Sequence, residues 1–375
     1  MVSAIEAHAD LDEEARTHGA IKRARTIKTG RQLLRLVLVH ALAGLSLRGT
    51  AAWAEASGEA SLSDVAVLKR LQASGPWLAE LVSRLAAALH PEGGVGGEAG
   101  PGGCRVVAVD ATMIASPGGQ SKPYRVLHTA YDVGSQTFLS CKVTDRSVAE
   151  HLDAGGVREG EIRLGDRAYG RYRDLSVTTA GKADFVVRLS AKSLKLRDEA
   201  GAPVDRAALC RLAEAEGPQD VGLLVHGTRT DTPLAARLIV LPLPKDKATA
   251  ARKLMRRRAR KWGYEATGQA PGTAGCLMLI TSLPRETWSA DQILSLYRRR
   301  WQVELAFKRL KSLLDLERLQ AKDPRLVTAH IHAVLLVALL IDLHRPSPPE
   351  APDSPPADSE PPCPSGASRP SPLAA

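Results

Sequence analysis

The chain has 375 residues, enough for a sizeable core together with one or two accessory modules. Its formal net charge is +10, an excess that suits a polyanionic partner such as nucleic acid. The five cysteines are scattered without a CxxC pair, which argues against a zinc knuckle or a disulfide framework and favours a reducing cytoplasm. The acidic start does not resemble an export signal, and the apolar runs 33–47 and 331–343 are too short to span a membrane, so we expect buried core helices there.

Residues 1–90 predict a small helical domain. Segment 22–48 begins with basic residues and continues into an apolar helical pattern, and segment 61–90 predicts two helices broken at Gly75-Pro76, the first capped by Ser63. This domain is either a DNA-binding accessory module or an ordinary helical packing domain. The Gly-rich run 91–103 that follows predicts a linker.

The pattern then changes to strands. Strands are predicted at 105–114, 126–133, 137–144, 161–164 and 184–189, with a short helix near 148–152 and another helix between the last two strands. Residues 191–275 are less regular and resemble an insertion, with strands at 221–225 and 236–241 and a basic helix at 249–262. A strand at 276–282, a long helix at 290–314, a final helix at 324–343 and a disordered Pro-rich tail at 345–375 complete the prediction.

Two aspartates occupy unusual places in these strands. Asp110 lies within the β-branched run VVAVDATMI, where an unpaired buried charge would be costly, and Asp166 ends the strand of IRLGDRAYG after Gly165. Either residue alone is most simply a strand-end carboxylate satisfied by backbone N–H groups. Two of them on successive core strands favour a shared site.

The long helix carries a polar face beside an apolar stripe. Tyr297, Arg300, Glu304 and Lys311 fall within an arc of roughly 60° at 3.6 residues per turn. Glu304 is the only acid on this cationic face. A solvated helix with an Arg300–Glu304 ion pair is the simplest explanation of such charges.

These residues carry a resemblance to a known family. The chain resembles the DDE transposases of bacterial insertion sequences, in the branch with a Tyr-x2-Arg-x3-Glu-x6-Lys signature, which Tyr297, Arg300, Glu304 and Lys311 match in spacing. Asp110-Ala111-Thr112 is similar to the first family motif, and Asp166-Arg167-Ala168-Tyr169 is similar to the second. The resemblance implies an α/β fold with an RNase H-like core, a mixed sheet flanked by helices, and a mainly β insertion.

The resemblance also implies a chemistry. Asp110, Asp166 and Glu304 would be catalytic ligands of two Mg²⁺ or Mn²⁺ ions, since hard oxygen donors select these metals. DNA-binding candidates are Tyr297, Arg300, Lys311, Arg167 and Trp301, the last by stacking on an extruded base unless it is a core tryptophan. The implied partners are double-stranded DNA, in terminal inverted repeats and target, and a second copy in a synaptic homodimer. No membrane partner is expected, and the location is the cytoplasm, with association to the nucleoid.

Three other interpretations remain open from the sequence. The chain is alternatively a nuclease of the same fold without strand transfer, or a catalytically decayed transposase remnant that only binds DNA. In the third, the carboxylates merely pair with arginines in a basic scaffold protein.

Overall fold

The computed structural model describes residues 1–90, 104–115, 125–190, 194–228, 231–261, 272–319 and 321–345. Residues 1–90 fold into the helices α1 (Val2–Glu6), α2 (Leu11–Thr17), α3 (Gly30–Leu42), α4 (Leu47–Ala56), α5 (Asp64–Ala73) and α6 (Gly75–Ala88). The helices of the later chain are α7 (Tyr172–Ala180), α8 (Arg206–Glu216), α9 (Lys245–Lys261), α10 (Ala290–Arg298), α11 (Trp301–Ser312) and α12 (Pro324–His344).

The described residues contain nine strands in one mixed sheet. They are β1 (Arg105–Ile114), β2 (Arg125–Asp132), β3 (Thr137–Asp145), β4 (Glu161–Gly165), β5 (Asp184–Arg188), β6 (Lys195–Arg197), β7 (Gln219–His226), β8 (Leu234–Pro242) and β9 (Cys276–Thr281). Their order across the sheet is β3-β2-β1-β4-β5-β9-β8-β7-β6. The strands β1, β4 and β5 are parallel to one another, and every other neighbouring pair is antiparallel. The fold is therefore mixed α/β, with helices flanking a large mixed sheet.

Capping residues define several of the N-terminal helices. The side chains of Thr29 and Gln32 form a capping box at the start of α3. Ser63 accepts a hydrogen bond from the Ala66 N–H and caps α5, as predicted from the sequence, and α6 begins at Gly75, where the break was predicted. The short helices α1, α2 and α4 are additions to the prediction.

The N-terminal helices share a hydrophobic core with the rest of the chain. Helices α3, α5 and α6 pack on α12, and α6 also contacts β3. The helix α12 is long and apolar enough to cross a membrane, but 67% of its most apolar window is buried inside the protein. It is the core helix that the apolar run 331–343 predicted, because the side chains from Ile331 to Leu340 are buried.

The central strand β1 is buried on both faces. Val106 and Ala108 point into a core that contains α11, α12 and the N-terminal helices, whereas Val107 and Val109 point into a second core with Tyr169 of the loop after β4. Side chains alternate along a strand, so every second residue faces the same core. This alternation places Asp110, which follows Val109, on the same face as Val106 and Ala108.

Three parts of the secondary-structure prediction were wrong. Residues 148–152 form turns and loop, not a helix. The predicted long helix 290–314 is two helices, because the N–H groups of Arg299 and Arg300 make tighter bonds to the carbonyls three residues back and interrupt the α-helix for one turn. The described residues of the segment 191–275 are not mainly β, since α8 and α9 accompany β6, β7 and β8. These strands extend the central sheet.

The predicted linker 91–103 and the tail beyond Arg345 lie outside the described residues. In the part of the chain that is described, no disulfide joins the cysteines Cys104, Cys141, Cys210 and Cys276.

Candidate active site

Asp110 lies on β1 and Asp166 lies directly after the end of β4, the neighbouring parallel strand. Ala108 of β1 is paired with Leu164 of β4, so each aspartate stands two residues beyond a matched pair and at the same level of the sheet. Ala108 and Leu164 both belong to the core that contains α11. By alternation, Asp110 continues on that face, and Asp166 follows directly after the end of β4.

Two other carboxylates act electrostatically on Asp110. The Asp110 side chain is only 18% exposed, and burial raises the pKa of Asp110 to about 7, an effect to which the charges of Asp166 and Glu304 add. The guanidinium of Arg300 and the backbone N–H of Ala111, which donates to Oδ1 at 2.8 Å, act in the opposite direction. Burial and the two like charges outweigh these opposing effects on the pKa of Asp110.

Asp166 is held by the turn that follows its strand. Its Oδ1 accepts a hydrogen bond of 2.7 Å from the Ala168 N–H and caps the 3₁₀ turn Arg167–Tyr169. Gly165 makes this turn possible, because a Cβ at that position would lie 2.9 Å from the Tyr169 Cβ and 3.0 Å from Leu152 Cδ1. The buried Tyr169 ring therefore packs directly on the backbone of Gly165, and this contact positions the carboxylate.

Arg300 joins the third carboxylate to the first. Its NH1 donates to Asp110 Oδ2 at 3.2 Å, and its NH2 donates to Glu304 Oε1. Glu304 lies one turn further along α11, and its side chain is 33% exposed. Because one guanidinium binds both carboxylates, Asp110 and Glu304 are held on the two sides of a single cation.

The other residues of the predicted cationic face are distributed around this centre. Tyr297 is half-buried, and its ring centroid lies 5.9 Å from the Arg300 Cζ. Arg167 is exposed immediately beside Asp166. Lys311 is directed to Glu317, with 2.7 Å between Nζ and Oε1. Trp301 is half-buried, and its Nε1 has no hydrogen-bond partner within the described residues.

Sequence reasoning did not include Arg188 in the site. This arginine ends β5, the strand beside β4, and its charge acts on the Tyr297 hydroxyl. Its Nε is buried without a hydrogen-bond partner in the described part of the chain. The signal in the sequence was a basic residue at the end of the buried run DFVVR, at the same sheet edge as Asp166.

A second acidic cluster lies apart from these residues. Candidate ligand atoms of His151, Asp153 and Asp174 lie within 4.8 Å of one another. Both oxygens of Asp153 already accept from Arg173 at 3.0 Å, and Asp174 accepts from His151 and Arg173. Arg173 pairs with this cluster as Arg300 pairs with Asp110 and Glu304, so arginine pairing does not distinguish the two groups of carboxylates.

The set of donors around Asp110 suits a hard divalent cation. Carboxylate oxygens on two parallel strands and one helix are the ligand type that Mg²⁺ and Mn²⁺ prefer. The raised pKa of Asp110 reports a site where additional positive charge is favourable. The geometry is thus compatible with metal binding by Asp110, Asp166 and Glu304.

Comparison with known proteins agrees with this geometry. A family model described as "Transposase DDE domain" matches residues 101–340. The chain is 37% identical over 348 residues to the putative transposase InsL for insertion sequence element IS186A of Escherichia coli, covering 91% of this chain and 92% of the relative. It is similarly 37% identical over 349 residues to the transposase for insertion sequence element IS421 of Escherichia coli, with the same shares covered. The chain belongs to the DDE-domain transposases of insertion sequences.

Proposed function

We propose that the chain cuts DNA at the ends of an insertion sequence and joins these ends to target DNA by phosphodiester hydrolysis and transesterification. The observation that supports this most is the level pairing of Asp110 and Asp166 on parallel strands, with Glu304 linked to Asp110 through Arg300. The strand order β3-β2-β1-β4-β5, with β2 antiparallel to β1, is compatible with an RNase H-like core. In that core these positions would form one catalytic centre.

Asp110, Asp166 and Glu304 would together hold two Mg²⁺ or Mn²⁺ ions. When bound, the ions supply activation of a water or 3′-hydroxyl nucleophile and stabilisation of the leaving oxygen. The three side chains fix the positions of these charges before DNA arrives, because Asp110 and Asp166 are held by a strand and a capped turn.

Arg300 has two roles in this proposal. In the structure it supplies the positive charge between Asp110 and Glu304. Once the carboxylates have another counter-charge, its guanidinium can donate its planar fork to a phosphate of the cleaved strand. Tyr297, Lys311 and Arg167 would contact neighbouring phosphates, and Trp301 would stack on an unpaired base.

The partners follow from the same proposal. The relatives are named transposases of insertion sequences, which supports double-stranded DNA as the substrate. The helical segment 1–90 would assist DNA binding, and two copies would bring two DNA ends together in a synaptic complex. The predicted boundaries at about 90 and 104 separate this helical part from the catalytic part.

A strand-transfer assay tests the proposal. Purified protein is incubated with a labelled element end and a circular target in Mg²⁺, and joined products are separated by size. Products that contain both DNAs are expected in Mg²⁺ or Mn²⁺ and not in EDTA. Persistent nicking without joined product would instead identify a nuclease, and binding without either product would identify a catalytically inactive DNA-binding protein.

A further inference from the structure

The helix α9 is an unusual element of this fold. Its 17 residues, KDKATAARKLMRRRARK, contain nine Lys or Arg and a single Asp. Among its described side chains only Ala248 is buried, so the helix lies on the surface over nearly its whole length. The catalytic proposal above uses none of these charges.

At least five of the nine cations of α9 have no acidic partner among the described residues. Arg252 pairs with Glu214 of α8. No carboxylate among the described residues lies within ion-pair distance of the following exposed cations: Lys253, Arg256, Arg257, Arg260 and Lys261. Lys253, Arg256 and Arg260 fall within an arc of about 60° on the helix. This arc is called the α9 cationic face below.

The helix starts from the sheet edge that carries the carboxylates. The strand β8 is antiparallel to β9, and β9 is antiparallel to β5, so β8 has the direction of β5 and of β4. The C-terminal ends of β8 and β4 therefore lie at the same edge, where Lys245 begins α9 and Asp166 follows β4. Three strand spacings separate β4 from β8, roughly 14 Å at about 4.8 Å each.

We propose that the α9 cationic face binds the phosphate backbone of duplex DNA beside the bond held at Asp110, Asp166 and Glu304. This inference rests on the proposed function. The strand register places Arg237 of β8 level with Leu164 of β4, and β8 continues five residues further, so α9 starts beyond Asp166 along the strand direction as well as to its side. Duplex DNA has a phosphate about every 3.4 Å along each strand, so a duplex that reaches from the carboxylates to α9 spans several base pairs. Contacts of this kind position the duplex without reading its sequence, and they release counterions.

A membrane surface is a poorer match for α9. A helix that lies in a lipid interface needs a broad apolar face, and the larger apolar side chains of α9 are only Leu254 and Met255. Guanidinium groups predominate among the exposed cations, and they suit phosphate geometry through paired donors. The position at the carboxylate edge then favours the DNA substrate over any other phosphate-bearing surface.

The test uses the full chain and a variant that removes the three charges of the α9 cationic face, K253Q/R256Q/R260Q. Glutamine keeps helix propensity close to that of arginine, so α9 should remain folded, which the far-UV circular dichroism checks. The matched control is R158Q/K182Q/K195Q, which removes three exposed cations at the opposite edge of the sheet, where Arg158 and Lys182 precede β4 and β5 and Lys195 begins β6. Affinity for a short linear duplex of arbitrary sequence is measured by fluorescence anisotropy in EDTA over a range of salt concentrations.

The α9 variant is expected to bind about tenfold more weakly near 0.1 M salt, and the slope of log affinity against log salt should fall by about 2 to 3, since each lost phosphate contact removes about 0.9. The control should keep the wild-type slope. The inference is overturned if the α9 variant has the same salt slope as the wild type. It is also overturned if the salt slope of the control falls as much as that of the α9 variant. Cleavage and joining are measured separately, so an inactive wild type that shows the expected slopes refutes the proposed function alone. A wild type that binds no duplex refutes both.

Discussion

Arg300 holds Asp110 and Glu304 on the two ends of one guanidinium, with NH1 donating to Asp110 Oδ2 at 3.2 Å and NH2 donating to Glu304. The Arg300 side chain is 16% exposed, so these ion pairs are largely shielded from water. Asp110 belongs to β1, whereas Arg300 and Glu304 lie around the start of α11. Asp110 and Arg300 are 190 residues apart in the chain. This contact therefore connects the helix to the sheet and assembles the site.

Replacing Arg300 with lysine should weaken the contact between α11 and β1. A single ammonium cannot donate to both carboxylates in the geometry of the fork, and a largely buried acid is then left without its partner. We expect Arg300→Lys to lower the free energy of unfolding by about 2 kcal/mol in EDTA, measured by urea denaturation. Mg²⁺ should recover part of this loss in the variant. The adjacent exposed Arg298→Lys is the control, and an equal loss in both variants would contradict the account.

The close contact between Gly165 and Tyr169 gives a second prediction. A methyl group at Gly165 would lie 2.9 Å from the Tyr169 Cβ, so Gly165→Ala must displace the turn that carries Asp166. We expect a loss of stability of about 1 to 3 kcal/mol and a lower cleavage rate at saturating DNA, with unchanged DNA affinity. The control is Gly222→Ala in β7, where an added Cβ meets only Glu199 Oε1 at 3.5 Å. A cleavage rate as high as that of the control would show that this contact does not position Asp166.

Buried histidine predicts a loss of stability in acid. His332 of α12 is 5% exposed, and burial lowers the pKa of His332 from 6.5 to about 4. Between pH 6.5 and about pH 4, the His332 side chain is protonated in the unfolded chain and neutral in the folded chain. The contribution of neutral His332 to the free energy of unfolding is therefore complete above pH 6.5 and is lost as the pH falls toward 4. We expect His332→Leu to reduce the loss of unfolding free energy between about pH 7 and about pH 5 by about 2 kcal/mol.

The exposed His8→Gln serves as the control for this measurement. Burial also lowers the pKa of His90 and of His330 to about 4, so the wild type has a steeper dependence than one histidine explains. An identical pH dependence for His332→Leu and the wild type would refute the assignment to His332.

The pair of Lys311 and Glu317 predicts opposite effects of two substitutions on DNA binding. The Lys311 ammonium lies 2.7 Å from Glu317 Oε1, so in the absence of DNA this acid competes with phosphate for it. Lys311→Gln should weaken DNA binding and reduce the salt slope by about 1, whereas Glu317→Gln should strengthen binding. Fluorescence anisotropy titrations check both. If both substitutions leave the affinity unchanged, Lys311 does not contact DNA.

Most strands that follow residue 104 were predictable because their sequences are rich in β-branched residues. The run RVVAVDATMI gave the bounds of β1 as the structure has them, and Asp323 and Pro324 marked the start of α12. The helix face with Arg300 and Glu304 was predictable from a 3.6-residue period. These signals are local, so a single segment carries them.

Other features depend on partners far away in the sequence. The break at Arg299 and Arg300 interrupts a segment whose periodicity continues through it, so no local pattern indicates it. The role of Arg188 depends on β5 lying beside β4, and the strand β6 has only three residues, which is too short for an alternating pattern. The level pairing of Asp110 with Asp166 requires the register between β1 and β4, which the sequence does not contain.

The measurement that tests the central claim most directly is Mn²⁺ binding, followed by electron paramagnetic resonance, to the full chain with a short DNA duplex. The single variants Asp110→Asn, Asp166→Asn and Glu304→Gln should each lose Mn²⁺ sites that the wild type has, because the proposed metal site takes ligands from all three carboxylates. Asp153→Asn, in the cluster that pairs with Arg173, should bind Mn²⁺ as the wild type does. Retention of wild-type Mn²⁺ binding by Asp110→Asn, together with its loss in Asp153→Asn, would contradict the account and assign the metal to the cluster of His151, Asp153 and Asp174.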